Sequence, residues 1–412
     1  MSKKTIVVIA NLDTRGEEFR FVKRLIEAHG HRAVLLDFSM KDEPPYAGDV
    51  PCDVVARRGG AGGIEEVRRG CINERKKYTD VMVSGAVSIV KEMYQNGELD
   101  GLLGVGGATA SAVATRIMRQ LPFGLPKVMA SSIASNPAYV SEYVGTRDIT
   151  LHHTVVDVSD MNSLLRRQLI NLVGAICGMV EIAEAQEQQI SKPPVAITAF
   201  GFSDNCVRPV ISLVREKGYE PVPFHAQGAG DRAMDELIRD GFFAGVIDVV
   251  TRGIGEQLFQ GNCAAGNDRL LAASESGIPQ VVSLSGLDML SYGSRPDLAA
   301  RSAGRKAAPI DALRVEVRTK PEELEKIAEV MAERLNKATA PATVMIPLKG
   351  WSSLSEEGRP LHDPEADFVL VNRLKQLVKP YVRLRELNLA LDTREFACAM
   401  VEEFDALYKQ RK

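Results

Sequence analysis

The segment Ile6-Val-Val-Ile-Ala10 decides the fold class of this chain. It is a short apolar run, followed by a polar turn and an amphipathic stretch that ends at Gly30, which is typical of a buried parallel strand leading into a helix. The segment Val195-Ala-Ile-Thr-Ala199 begins the same series of features again, and its amphipathic stretch ends at Gly218. The two halves of the chain therefore predict one structural unit that occurs twice.

Two further landmarks recur in the same order in both halves. Gly97 to Gly101 precedes one apolar run and Gly241 to Gly245 precedes another, while Gly124-Leu-Pro126 has its counterpart in Gly277-Ile-Pro279. Strands that alternate with helices through short links form parallel sheets covered on both faces. We therefore predict an α/β protein with two tandem Rossmann-like three-layer (αβα) subdomains, mainly parallel sheets and a cleft between them.

The predicted subdomains comprise residues 1–190 and 191–412. The first carries an insert at about 39–90 that has no counterpart in the second, and we expect it to elaborate one sheet edge. A long helical run from Asn162 to Gln189 and the segment Ser191-Lys-Pro-Pro194 mark the boundary, because paired prolines cannot continue a helix. The second subdomain ends in a predicted C-terminal helical extension, in which one strand, Ala342 to Ile346, lies between helices at Pro321 to Lys337 and Thr393 to Tyr408.

Composition excludes several classes of protein. Of the 412 residues, 45% are hydrophobic and 25% are charged, close to the averages for globular proteins, and the net charge is −3. Such a balance provides no general attraction for nucleic acid. The six cysteines form no CxxC pair, which argues against a disulfide framework or a thiolate zinc site. With no signal-peptide core and no apolar run of about 20 residues, a cytoplasmic protein without a membrane partner is expected.

Small and hydroxyl-bearing residues follow the predicted strands of the first subdomain. Ligands of open parallel sheets bind beyond the carboxyl ends of the strands, where glycines admit a phosphate to backbone N–H groups. A carboxylate that ends the second strand commonly accepts a hydrogen bond from a ribose hydroxyl. The predicted nucleotide site comprises Leu12, Asp13, Thr14, Asp37, Ser84, Gly85, Gly104, Gly106, Gly107, Ala108, Thr109, Ser131, Ser132 and Ser135.

Structural interpretations of these residues remain open. Thr14 and Glu17 have the spacing of a helix capping box, which needs no ligand. Asp37 is also a common type of turn residue at a strand end. The turn from Gly104 to Thr109 lacks the lysine of a P-loop and the GxGxxG spacing, so it can equally be a tight turn.

The second subdomain offers a separate set of candidates. His225 occupies the position that corresponds to Asp37, and Gly228, Gly230 and Arg252 form a predicted anion site beside it. Candidate catalytic groups are His225, Asp204 and Asp363. His225 can equally be structural, and Asp363 can equally cap a helix that begins at Pro364. No set of metal ligands is predicted, and the GxxxG spacing of Gly174 and Gly178 permits close helix packing or a dimer seam.

The chain resembles the family of the tomato mosaic virus resistance protein and its uncharacterised bacterial and fungal relatives. The resemblance covers nearly the whole sequence. Its most specific motif is Phe224-His-Ala-Gln-Gly-Ala-Gly-Asp-Arg-Ala-Met-Asp-Glu-Leu237, and others are Ala10-Asn-Leu-Asp-Thr14, Gly104-Val-Gly-Gly107, Ile133-Ala-Ser135, Tyr143-Val-Gly-Thr146, Gly286-Leu-Asp-Met289 and Asp363-Pro-Glu-Ala366. The resemblance implies two Rossmann-like subdomains, a homodimer, and an ATP site formed by Leu12-Asp-Thr14 and the glycine turn. This turn has fewer glycines than the plant member's, and the plant's antiviral action is not expected to transfer.

Three functions are consistent with these features. The first is an ATP-binding protein, with Mg²⁺ as a candidate metal and an uncharacterised catalytic step in the cleft between the subdomains. The second is a non-catalytic interaction or regulatory module that nucleotide stabilises, with an unknown protein partner. The third is a small-molecule isomerase or hydrolase that uses the same anion pocket. The sequence does not decide whether the protein is an enzyme.

Overall fold

The computed structural model describes residues 2–185 and 192–410. The chain forms two compact units, Met1–Gln188 and Gln189–Lys412, here called unit 1 and unit 2. The boundary predicted near residue 191 lies outside the described residues. So does the end of the long predicted helix, of which Ser163–Ala185 is described.

Unit 1 is a five-stranded parallel sheet with helices between its strands. Its elements are β1 Thr5–Ala10, α1 Leu12–Ala28, β2 Arg32–Asp37, α2 Cys52–Arg58, α3 Ile64–Gln95, β3 Gly101–Gly106, α4 Ala108–Met118, β4 Lys127–Ser131, α5 Pro137–Val144, β5 Thr150–His153 and α6 Ser163–Ala185. The strand order is β2-β1-β3-β4-β5, and all neighbours are parallel. The order reverses between β1 and β3, which is the place where open α/β sheets bind ligands.

The insert in unit 1 consists mainly of α2 and α3. Their buried apolar side chains, such as Val55, Met82 and Val90, join one core with β1 and β2 on a single face of the sheet. The insert also reaches the free edge of β2, where Val50 forms an isolated parallel bridge to Leu36. It therefore covers a face of the sheet as well as elaborating its edge.

The prediction that Ser84 and Gly85 follow a strand was wrong, because both lie within α3. The buried apolar residues around them recur at helical spacing, as Met82, Ala86 and Ile89 show. Gly85 serves helix packing, since a Cβ there would lie 1.9 Å from the carbonyl oxygen of Val55 in α2.

Unit 2 repeats the arrangement with six parallel strands. Its elements are β6 Pro194–Ala199, a 3₁₀ turn Gly201–Ser203, α7 Asp204–Glu216, β7 Glu220–His225, α8 Ala229–Arg239, β8 Gly245–Val250, α9 Gly253–Leu258, α10 Leu271–Ser276, β9 Gln280–Ser285, β10 Met289–Ser291, α11 Leu298–Ser302, β11 Ala307–Pro309, β12 Val315–Arg318, α12 Pro321–Leu335, β13 Ala342–Pro347, α13 Pro364–Leu377, β14 Val382–Leu387 and α14 Arg394–Gln410. The strand order is β7-β6-β8-β9-β13-β14. Its first five strands correspond in order to β2-β1-β3-β4-β5 of unit 1, and β14 is one further strand. The predicted α/β class with two Rossmann-like units is thereby confirmed.

Two features of unit 2 differ from the prediction. The C-terminal extension is not only helical, because β14, which was not predicted, pairs with the predicted strand β13 and completes the parallel sheet. In addition, β10, β12 and β11 form a small antiparallel sheet. These strands have only three or four residues each, which is too short for a recognisable strand pattern in the sequence.

Candidate functional site

A cavity of about 310 Å³ lies at the point where the strand order of unit 1 reverses. Its walls come from the turn after β1, the loop after β2, the kinked part of α3 and the first turn of α4. They are Asn11, Asp13, Thr14, Arg15, Phe38, Met40, Lys41, Arg75, Gly107, Ala108, Thr109 and Ala110. The structure thus brings together Asp13, Thr14, Gly107, Ala108 and Thr109 from the predicted set.

The first turn of α4 forms one wall of this cavity. Gly107 precedes the helix with φ −92° and ψ −158°, and the first backbone N–H groups of a helix have no partner within it. A Cβ on Gly107 would meet nothing closer than Ser132 Oγ at 3.7 Å, so the wall here is bare backbone. This geometry allows an anion to approach the N–H groups closely.

Gly104 and Gly106 serve packing, and neither lines the cavity. A Cβ on Gly106 would lie 2.4 Å from the Cβ of Ala110. A Cβ on Gly104 would lie 2.7 Å from the sulfur of Met129, between β3 and β4. Both glycines let α4 begin close to the sheet, which positions the residues that do line the cavity.

The turn after β1 contributes side chains but not free amides. The backbone N–H of Leu12 donates to Asp37 Oδ1 at 3.3 Å, and that of Asp13 donates to Ser39 Oγ at 2.9 Å. Leu12 is fully buried and does not line the cavity. The helix begins at Leu12, so Thr14 lies in its first turn, where it accepts a hydrogen bond from Asn11 Nδ2, and is not a cap.

Asp37 does not face the cavity, contrary to the role predicted for it. Only 1% of its surface is exposed, and its Oδ1 accepts the N–H of Ser39 at 3.0 Å as well as that of Leu12. Burial raises the pKa of Asp37, while these hydrogen bonds oppose the increase. The carboxylate therefore holds the β1 and β2 turns together.

The cavity is also lined by three cationic side chains that were not among the predicted site residues: Arg15, Lys41 and Arg75. Arg15 has non-helical backbone angles inside α1, φ −139° and ψ 38°, and its Nε donates to the carbonyl oxygen of Val158 at 2.5 Å. Asp13 is the one acidic residue among the lining residues. Arg15 adjoins the predicted turn and could have been found, whereas nothing in the sequence indicates that α3 folds back to this place.

The predicted serines after β4 have other positions. Ser131 is fully buried and its hydroxyl accepts that of Ser111 at 2.7 Å. The Ser132 hydroxyl donates to Asp157 at 3.3 Å, and Ser135 is exposed. None of the three lines the cavity.

Arg252 is not available as an anion clamp in unit 2. Its guanidinium is fully buried, donates to both Glu256 and Glu316, and lies 4.6 Å from the ring centre of Phe200. A Cβ on Gly286 would lie 2.7 Å from the Cβ of Arg252. The strand ends of unit 2 that correspond to the cavity are thus filled by the protein's own side chains.

The glycine turn of unit 2 is closed by a carboxylate. Asp231 Oδ2 accepts the N–H of Gly228 at 2.8 Å, so it occupies the place an anion would take. Gly228 has φ +87° and a Cβ there would lie 2.4 Å from the carbonyl oxygen of Ala264, while one on Gly230 would lie 2.1 Å from that of His225. These glycines are explained by packing, and the predicted anion site is not formed.

The three catalytic candidates of unit 2 have separate partners. His225 is exposed and its ring contacts that of Phe200 edge-on at 5.1 Å. Asp204 pairs with Arg208 at 3.0 Å on the surface of α7. Asp363 caps α13 by accepting the N–H of Ala366 at 3.2 Å, as its structural interpretation predicted.

Sequence comparison agrees with this division into units. The model of the Uncharacterised protein family (UPF0261) N-terminal domain matches residues 4–185, and that of its C-terminal domain matches residues 192–408. The chain belongs to the UPF0261 family.

Members of UPF0261 from several organisms align with most of the chain. A UPF0261 protein of Clostridium tetani is 36% identical over 98% of both chains, and one of Rhizobium meliloti is 31% identical over 97% of this chain and 98% of its own. The ToMV resistance protein Tm-1(GCR237) of Solanum lycopersicum is 34% identical over 74% of this chain and 41% of its own length. The predicted resemblance is thereby confirmed.

No helix within residues 2–185 and 192–410 is long and apolar enough to cross a membrane. In the same ranges, no group of three or more His, Cys, Asp or Glu side chains is arranged to hold a metal ion.

Proposed function

We propose that unit 1 binds a nucleoside triphosphate, ATP with Mg²⁺, in the strand-end cavity. The observation that carries this proposal is the combination, in one cavity, of the bare backbone at Gly107 with three cationic side chains and one carboxylate. The first turn of α4 would receive the phosphates, and Arg15, Lys41 and Arg75 would balance their charge.

The residues present fit the proposed ligand. A volume of about 310 Å³ falls in the range of small-molecule pockets, and Phe38 and Met40 supply an apolar wall. Mg²⁺ in nucleotide sites is bound through one or two carboxylates together with the phosphates. Asp13 would be that carboxylate, and its Oδ2 is oriented by the backbone N–H of Lys41 at 3.0 Å.

Thermal unfolding with nucleotide tests the proposal. A ligand that binds the folded state stabilises it by about 2.7 kcal/mol at 100 times its Kd, so ATP with Mg²⁺ should raise the melting temperature. Gly107→Val should abolish the increase, because its backbone angles suit any residue and its side chain would block the approach to α4. Gly106→Val is unsuitable, because its side chain would clash with Ala110.

Gly174→Val is the matched control. Gly174 lies on α6 of the same unit, and a Cβ there would have no atom within 4 Å, so this variant should keep the full nucleotide effect. The proposal fails when no nucleotide at millimolar concentration changes the melting temperature of the wild-type chain. It also fails when Gly107→Val and Gly174→Val respond alike.

A non-catalytic module that nucleotide stabilises is the second candidate. The separate partners of His225, Asp204 and Asp363 favour it, because catalytic groups act together on one substrate. Release of γ-phosphate during prolonged incubation with ATP would decide for an enzyme, and intact bound ATP would decide for the module.

A further inference from the structure

A second cavity, of about 430 Å³, adjoins the strand-end cavity of unit 1. It lies between the loop after β2 and the first half of α3. Met40, Lys41 and Arg75 line both cavities, whereas Arg68, Arg69, Cys71 and Ile72 line only the second. None of the functions considered above uses these α3 residues.

The second cavity depends on a kink in α3. Glu74 has φ −126° and ψ 46°, which interrupts the helix. Gly70 lets the ring of Tyr78 pack across the kink, because a Cβ at Gly70 would lie 1.8 Å from that ring. Arg68 Nη2 donates to the carbonyl oxygen of Asp42 at 2.9 Å and holds the loop after β2 against the helix. The cavity is therefore built into the fold.

The charge of the second cavity is positive and largely unbalanced. Its lining contains no acidic residue. Arg68 is paired with Glu65 at 2.6 Å, but Lys41, Arg69 and Arg75 form no ion pair within residues 2–185 and 192–410. Gathering cations without carboxylates is unfavourable unless an anion balances them.

Apolar side chains complete the walls of the second cavity. Met40 packs partly against the core, while Ile72 is 80% exposed, the largest exposed fraction among the large hydrophobic residues described. An exposed isoleucine beside a positive cavity gains by burial against an apolar ligand. A free phosphate or other inorganic anion would leave that gain unused.

We propose that the second cavity binds a small organic anion, a carboxylate or phosphate monoester carried on a short apolar chain. The anionic group would lie among Lys41, Arg69 and Arg75, and the chain would cover Ile72 and Met40. This inference does not depend on which ligand occupies the strand-end cavity. Because Arg75 lines both cavities, the two ligands would lie next to each other.

Ligand-observed saturation-transfer NMR on the full chain tests this site. The probes are hexanoate and hexyl phosphate, which share the apolar chain, and hexanamide, which lacks the charge. Both anions, or one of them, should give a signal at least tenfold stronger than the amide, and the stronger anion identifies the charged group. Arg69→Glu and Ile72→Asp should each remove the signal, since both residues line only this cavity.

Arg24→Glu is the control for net charge, because Arg24 is exposed on α1 and lines neither cavity. Circular dichroism establishes that each variant folds, and Gly70→Ala, which should push Tyr78 and disturb the kink, is a second route to loss of the site. Gly107→Val should keep hexanoate binding. If hexanoate binds and Arg69→Glu abolishes that binding, this inference stands. If in addition no nucleotide changes the melting temperature, the proposed function is refuted while this inference is retained.

Four results would overturn the inference. One is equal binding of hexanoate and hexanamide, and a second is equal loss in Arg24→Glu and Arg69→Glu. The third is displacement of hexanoate by saturating ATP with Mg²⁺, because both cavities would then belong to a single nucleotide site. The absence of any hexanoate or hexyl phosphate signal in the wild-type chain contradicts it as well.

Discussion

Arg252 and Glu316 form a bidentate, buried ion pair in unit 2, with Nη2 donating to Oε2 at 2.8 Å and Nη1 to Oε1 at 3.3 Å. Arg252 follows β8, which corresponds to β3 of unit 1, and Glu316 belongs to β12 of the small antiparallel sheet. Where unit 1 has Gly107 and a cavity, unit 2 has a filled ion-pair cluster. The region after the third strand is therefore open in unit 1 and filled in unit 2.

We predict that Glu316→Ala strongly destabilises unit 2. Removing one partner of a buried pair leaves an uncompensated charge, which typically costs roughly 3–5 kcal/mol of folding stability. We expect this loss although Glu256 remains beside Arg252. Trp351 is the single tryptophan and is buried in unit 2, so its fluorescence during urea unfolding reports on this unit.

Asp204→Ala is the control, because it removes an ion pair with Arg208, whose side chain is 80% exposed. Exposed pairs contribute about 0–1 kcal/mol, so the urea midpoint should change little. Equal effects of the two substitutions would show that the buried cluster of Arg252 adds nothing specific to stability.

We next predict opposite effects of alanine at two glycines of unit 1. Gly85→Ala should destabilise the unit by about 1–3 kcal/mol, because its Cβ would overlap the Val55 carbonyl oxygen. Gly174→Ala should stabilise it by about 0.5–1 kcal/mol, since the position is helical and open. Thermal unfolding and hydrogen exchange of unit 1 peptides measure both, and a neutral Gly85→Ala would refute the packing role.

The parallel core strands were predictable from sequence because they are continuous apolar runs. The runs at β1, β3, β6 and β8 are almost fully buried, and their repetition determined the architecture. β14 was missed, because an edge strand with the sequence Val-Arg-Leu-Arg-Glu-Leu is only partly buried. β5 was missed for the same reason, as its four residues are exposed or half-buried.

The candidate site was predictable only where neighbouring strands end. Asp13 and Gly107 follow adjacent strands, so the parallel topology brings them together. Arg75 reaches the same cavity through the kink at Glu74, and no local pattern encodes that contact. Arg252 was misassigned because its partner Glu316 lies in a short strand with no recognisable pattern.

We predict that the stability of unit 2 decreases as the pH rises from about 4 to about 7. Burial raises the pKa of Asp235 to about 7, and the charges of Asp248 and Asp231 add to this against the opposing effect of Arg269. The folded state then retains a proton that the unfolded state releases above its usual carboxyl pKa, so raising the pH favours unfolding until Asp235 ionises. Above that pH the contribution is constant.

Asp235→Asn tests this pH dependence. The variant should match the wild type near pH 3, where Asp235 is protonated in both the folded and the unfolded state. Its advantage in stability should grow as the pH rises to about 7, since each unit of pKa difference corresponds to about 1.4 kcal/mol. Part of the decrease in stability with rising pH should remain in Asp235→Asn, because burial also raises the pKa of Asp367 to about 7. Unfolding followed by Trp351 fluorescence measures the stability of both proteins at each pH. If wild type and variant lose stability equally as the pH rises, Asp235 does not titrate in this range.

The last prediction separates the structural role of Asp37 from the ligand role that the sequence suggested. In Asp37→Asn, the amide oxygen still accepts the N–H groups of Leu12 and Ser39, so the turn and the binding of ATP with Mg²⁺ should be preserved. Asp37→Ala leaves these buried donors unpaired at about 1–3 kcal/mol each, so stability and binding should fall together. A ribose contact requires the opposite: Asp37→Asn would then lose affinity at unchanged stability, because the carboxylate would be facing the ligand.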